Sequence, residues 1–311
     1  MFIHIIEKQI ECVHYRGDFM RISDLTGEYL DIYNRYCIPV TDKVVLDNVI
    51  LSDENSKKLK EFLTEYSNRY KFKNFGMTTM NKLLFYGATG TGKTYLAKAI
   101  SNHFSLPMLQ IDVSKLPESN LALALTEIFQ LSRVLGSAVI FLDECDSICW
   151  ARDDVNNQDS ASVRRANNTL FQLLNELDTD SIFISATNLY DNLDVAFVRR
   201  FDLKFRFIAP TIDRFDEAVE KFVDKSRFKY ISDMDEHVKE IVNYQVQRSL
   251  NLSYAQIKGW VQQIEKSALV KDEGSIKESS FYELLMRDMR IVVKYDSSGT
   301  PYLYQYGVQS M

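Results

Sequence analysis

The sequence is poor in several residues that would narrow its class. Among 311 residues there are four cysteines, at 12, 37, 145 and 149, and four histidines. Cys145 and Cys149 stand four apart, and no second Cys or His pair lies near them at zinc-site spacing. All four are read as buried free thiols of a reducing compartment. No apolar run reaches membrane-spanning length. The opening residues, MFIHIIEKQIECVHYR, lack a basic stretch followed by a long apolar one. No secretory leader is therefore expected, and the predicted location is the cytoplasm. Basic residues are not in excess either: the net charge is −6 and the pI about 5.4. That excludes a general nucleic-acid binder, though not a local basic groove. Internal repeats and low-complexity segments are absent.

What remains is ordinary globular material, 46% hydrophobic and 26% charged. The length suits one α/β domain with a smaller partner. Residues 2–36 carry apolar and aromatic residues broken at Gly17 and Gly27, read as short strands and then a helix over Tyr29–Tyr36. Pro39 and the polar TDK after it mark a boundary. From Ser52, Leu59, Phe62, Leu63 and Tyr66 fall on one helical face. Short apolar strands then alternate with helices: strands at 83–87, 108–113, 138–143, 181–188 and 202–210, helices at 93–104, 120–135 and 163–177. This pattern predicts a parallel sheet covered on both faces. After Pro210 the strands are expected to stop and helices to fill 211–275, with one more helix at 276–290 and a terminal hairpin turning at Asp296–Gly299. The expected division is 1–43 (N-terminal extension), 44–210 (α/β nucleotide-binding domain), 211–275 (helical lid) and 276–311 (C-terminal helix and hairpin).

The chemistry is concentrated at strand ends. GATGTGKT at 87–94 fits G-x-x-x-x-G-K-[ST] without a mismatch, follows a strand and opens a helix. Gly87, Gly90 and Gly92 let the backbone curl so that the N–H groups of Gly87, Ala88, Thr89, Gly90, Thr91, Gly92, Lys93, Thr94 and Tyr95 can face phosphates. The helix N-terminus adds partial positive charge. Lys93 would reach the β- and γ-phosphates of ATP, and the Thr94 hydroxyl would ligate Mg²⁺. VIFLDECD at 139–146 is an apolar strand ending in carboxylates, where open α/β sheets place ligands. Asp143 would hold Mg²⁺ through water, and Glu144 would act as base on the attacking water. Asp146 reads as structural or as part of a subunit contact. ISATN at 184–188 ends in Asn188, whose amide could orient that water, with Thr187 a weaker candidate. Arg199 and Arg200 precede the last strand, placed for a solvated face or for an arginine finger supplied to a neighbouring subunit.

Taken in order, GATGTGKT, VIFLDECD, ISATN and VRRFD resemble the AAA clade of the AAA+ ATPases over roughly residues 44 to 270. The resemblance implies a P-loop α/β domain, a helical lid, and a hexameric ring with ATP and Mg²⁺ bound between subunits. It implies arginine fingers at Arg199 and Arg200, adenine-pocket residues at Val49 and Ile50, and a small residue near the nucleotide at Ala255. Within the clade, LDVAFVRRFDLK and RRANNTLFQLLNELD resemble both single-module bacterial AAA proteins and remodellers of HORMA-domain proteins. Two departures stand out. The segment SKLPESNLALAL at 114–125 lacks the aromatic–apolar–glycine pore loop, and Leu121 substitutes poorly for a gripping tyrosine. The two arginines are adjacent rather than separated by a short insert.

These features imply an ATP-driven remodeller of a protein substrate or adaptor, acting as a homo-oligomer away from membranes. A nucleotide-dependent assembly switch or scaffold that threads nothing is the alternative. A DNA-acting loader ranks third, given the acidic charge.

Overall fold

The computed structural model describes residues 20–149, 160–177, 180–210, 214–249 and 252–305. The strands expected near the N-terminus, and Cys12, lie outside the described residues. The chain forms two compact units.

The first unit contains α1 (Gly27–Tyr36), β1 (Cys37–Ile38), α2 (Asp53–Ser67), α3 (Arg69–Asn74), β2 (Lys82–Gly87), α4 (Lys93–His103), β3 (Met108–Ile111), α5 (Leu121–Val134), β4 (Val139–Leu142), α6 (Ser160–Asn175), β5 (Ile182–Thr187), α7 (Val195–Val198) and β6 (Leu203–Phe207). Its six strands lie in the order β1-β3-β4-β5-β2-β6. Five are parallel, as expected of apolar strands joined by helices. The edge strand β1 runs antiparallel to β3, with Cys37 opposite Ile111.

Alternation along the strands sorts the core into two layers. Leu84, Ile140, Leu142 and Phe183 face one side, against Leu125 and Ile128 of α5 and Leu170 and Leu174 of α6. Leu83, Phe85, Phe141 and Ile184 face the other, against Phe62 and Tyr66 of α2 and Leu96 and Ile100 of α4. Helix α2 begins where Ser52 caps it, the hydroxyl accepting from the Asn55 N–H at 3.3 Å. Residues 20–38 are built into this unit: Ile32, Tyr33, Tyr36 and Cys37 belong to the first core layer. Pro39 therefore turns the chain without isolating residues 25–38.

The second unit consists of residues 208–305, as far as they are described, together with the loop tip Thr89–Thr91. It contains α8 (Phe215–Phe222), β7 (Lys229–Ile231), α9 (Glu236–Ser249), α10 (Tyr254–Val270), β8 (Ser275–Lys277), α11 (Glu278–Asp288) and the hairpin β9 (Ile291–Tyr295) and β10 (Pro301–Gln305). The expectation that strands stop at Pro210 until the terminal hairpin is corrected here. β7 and β8 pair in parallel, Lys229 opposite Ser275. Each is three residues long, too short to show a period of two, and their partners are remote in sequence. The last helix accordingly starts at Glu278 rather than 276. A capping box, Ser253 with Gln256, starts α10. Among the described residues no helix is long and apolar enough to cross a membrane.

Candidate active site

The carboxyl ends of β2, β4 and β5 lie side by side in the sheet, and the polar residues of the three motifs gather there. Gly87 closes β2 at φ +137°, and a Cβ on it would stand 1.9 Å from the backbone oxygen of Phe207. Only glycine fits that approach. Gly92, at φ +103°, caps α4. Lys93 is the first residue of that helix, and its Nζ donates to the carbonyls of Gly87 (2.7 Å) and Ala88 (2.8 Å) and to Asn188 Oδ1 (2.7 Å). Burial lowers the Lys93 pKa below its ordinary value, with Asp143 and Asp146 pulling the other way.

Thr94 Oγ1 donates to Asp143 Oδ2 at 2.9 Å. The other Asp143 oxygen accepts from the Glu144 N–H at 3.0 Å. Glu144 is exposed and left-handed, φ +50° and ψ 42°. A non-glycine residue held there is strained, and such strain gathers where a side chain must be aimed. Asp143 and Thr94 thus offer converging hard oxygens. That set suits Mg²⁺, which takes one or two protein oxygens alongside phosphate oxygens. Among the described residues no group of three or more His, Cys, Asp or Glu side chains forms a self-sufficient metal cage.

Thr187 is almost fully buried, and its hydroxyl is committed: it donates to Asp146 Oδ1 (2.6 Å) and accepts from the Leu189 N–H (2.9 Å). Both of these bonds fix the turn that carries Asn188. The two arginines differ sharply. Arg199 is exposed. Arg200 lies over the Phe171 ring, 4.0 Å from its centroid, and donates to the Ala196 carbonyl of the preceding helix, α7.

Ile50 is buried, and Val49 packs half-buried against the second core layer. Tyr95 is half-buried and hydrogen-bonded to the Asn48 side chain beside them. Ala88 and Thr89 are exposed, and Thr91 is buried. Within the second unit, the Ala255 N–H donates to the Gly90 carbonyl at 3.2 Å. A Cβ on Gly90 would meet Ser253 at 3.0 Å. Leu121 is buried in the first core layer at the start of α5, while Leu123 is exposed. Cys37, Cys145 and Cys149 are free and buried. Burial pushes the thiols of Cys37 and Cys145 up to about 12. Sequence reasoning missed Tyr86 and Tyr190, whose rings stack with centroids 4.2 Å apart. No local pattern signals a contact between residues so distant in sequence.

Residues 83–208 match the family model described as ATPase family associated with various cellular activities (AAA). The chain carries an AAA ATPase domain. A 26S proteasome regulatory subunit 8 homolog of Encephalitozoon cuniculi is 33% identical over 51% of this chain and 42% of its own length. The proteasome-activating nucleotidase 2 of Haloferax volcanii is 31% identical over 55% of this chain and 43% of its own. An uncharacterized AAA family ATPase of Sinorhizobium fredii, y4kL, is 26% identical over 78% of this chain and 71% of its own. The chain thus spans only about two fifths of the length of these proteasomal relatives.

Proposed function

We propose that this chain binds ATP with Mg²⁺, hydrolyses it as a subunit of a ring, and uses the cycle to remodel a protein partner. The observation that carries the reading is the convergence of Lys93, Thr94, Asp143 and Asn188, linked by bonds of 2.7 to 2.9 Å at three adjacent strand ends. In this reading residues 87–95 wrap the phosphates, and Lys93 exchanges its loop carbonyls for the β- and γ-phosphate oxygens. Thr94 and Asp143 hold Mg²⁺, which neutralises phosphate charge when bound. Asn188 orients a water in line with the γ-phosphate. Glu144 draws on the proton of that water as its oxygen bonds to phosphorus and the bond to the ADP oxygen opens. Val49 and Ile50 contact the nucleoside.

Arg199 is the better candidate for a finger reaching the ATP of a neighbouring subunit, because Arg200 is held against Phe171. A hexamer and a cytoplasmic setting belong to the same proposal. The proteasomal names of the relatives support a protein substrate.

Burial of Leu121 favours a second reading in one respect: ATP sets the geometry of an assembly, and no polypeptide is threaded. Glu144→Gln tests the first. It should bind ATP normally, hold protein partners in pull-downs, and lose turnover by about 10²- to 10⁴-fold. Wild-type turnover in that variant would remove Glu144 as the base.

A further inference from the structure

We propose that Asp146 is a positioning residue that fixes Asn188 in register with Glu144, acting through the Thr187 hydroxyl. The inference rests on the reading of the site given above. Glu144 and Asn188 sit on segments that leave different strands, β4 and β5, and each must meet the same water to within a fraction of an ångström. Asp146 lies in the short 3-10 turn that follows Glu144. Its Oδ1 accepts from Thr187 Oγ1 at 2.6 Å, and the same hydroxyl accepts from the Leu189 N–H at 2.9 Å. One hydroxyl therefore joins the segment carrying Glu144 to both sides of Asn188. Its donor and one acceptor position are in use, so the turn cannot shift without breaking a part-buried bond to a buried side chain.

Two further contacts brace the turn. Tyr190 stacks on Tyr86, the residue before Gly87, with ring planes 29° apart. Asn188 Oδ1 itself accepts from Lys93 Nζ at 2.7 Å, which leaves its amide nitrogen to face the water. The Asp146 carboxylate is half-exposed, so the bond is accessible to solvent competition once either partner is removed.

The test is steady-state ATPase kinetics on the full chain for two pairs of variants. Asp146→Ala and Thr187→Val remove the bond. Asp146→Asn keeps a carbonyl acceptor, and Thr187→Ser keeps the hydroxyl. The first pair should lose kcat by about tenfold or more, with KM and the affinity for a fluorescent ATP analogue held within about twofold. The second pair should keep kcat within about threefold of wild type. Unchanged kcat in both Asp146→Ala and Thr187→Val overturns the proposal. So does Asp146→Asn falling as far as Asp146→Ala, which would assign the effect to the charge of Asp146. Should Asp146→Ala fail to fold by its thermal melt, the Thr187→Val and Thr187→Ser pair decides alone. Glu144→Gln, run alongside, separates the two levels. Wild-type turnover there defeats the reading of the site. Lost turnover there beside an unaffected Asp146→Ala defeats only this inference.

Discussion

The two units use their charged groups differently. In the first, the sheet interior is apolar, and the carboxylates Asp143, Glu144 and Asp146 stand at the carboxyl end of β4, half-buried or exposed. In the second, charge lies inside. Lys239 and Glu278 are both buried and pair at 2.5 Å. Ser232 donates to the second Glu278 oxygen at 2.6 Å, and Asp216 and Glu236 approach the same lysine at 3.8 and 3.4 Å. A charge whose partners are all supplied by its own fold holds structure. A charge left partly open at a strand end can turn to a substrate. Burial alone therefore does not mark the functional residues of this chain; the way their bonding capacity is spent does.

Beyond Glu144→Gln, removing Arg199 should have the largest effect that leaves the fold intact. Arg199→Ala should cost about 10³-fold in the turnover of the assembled protein, with an unchanged thermal melt. Arg200→Ala should instead lower the melting temperature, because it strips the contact over Phe171. If Arg200→Ala loses turnover with its stability intact while Arg199→Ala is silent, the assignment is reversed.

Gly87→Ala attacks the first unit where the backbone leaves no room. The added Cβ meets the Phe207 oxygen at 1.9 Å, so β2 and β6 must part. The cost should be about 3 to 4 kcal/mol, with loss of nucleotide binding. A denaturant melt and a binding titration check both, and a variant that binds ATP normally contradicts the strand-end geometry.

Lys239→Met is the matching experiment on the second unit. It leaves Glu278 buried without its cation, at a cost of about 3 kcal/mol. Hydrogen exchange should show lost protection in α9 and α11 and unchanged protection in β2, β4 and β5. Replacing Glu278 by Leu in the same chain should recover much of the loss. Equal loss across both units would mean that they unfold as one.

The same contrast explains how much was legible in the sequence. The parallel strands of the first unit were readable because Val139–Leu142 and Ile182–Thr187 are buried on both faces and so are nearly continuous apolar runs, whereas the two-residue edge strand Cys37–Ile38 was not. The phosphate loop and the paired carboxylates were readable because their chemistry is local, within eight residues of one strand end. The β7–β8 pair was not, since a three-residue parallel strand is recognised only by its remote partner. Nor was the integration of residues 25–37, which depends on α1 meeting α5 across the sheet edge. Equivalent arginines in sequence became distinct only when Phe171 came beneath one of them. Tertiary partners, absent from any local window, made the difference each time.

The smallest expected effect tests the second unit by pH. Burial raises the Asp216 carboxyl above its ordinary value of 3.8; the Lys239 charge opposes this, Glu278 adds to it, the Tyr282 hydroxyl opposes it and Glu236 adds again. A raised native value means that the folded state holds this proton more tightly than the unfolded chain does. The resulting stability is full below the unfolded value and is lost as pH rises through the native one. Asp216→Asn mimics the protonated group and still offers an oxygen to the Tyr282 hydroxyl, which lies 3.3 Å from Asp216 Oδ1. The variant should therefore gain on wild type as pH climbs from below 4 towards neutrality. The gain should stay under about 1 kcal/mol because the carboxylate is part-exposed. Urea melts at the two ends of that range measure the difference. A variant whose disadvantage grows with pH would show that attraction to Lys239 outweighs the cost of burial.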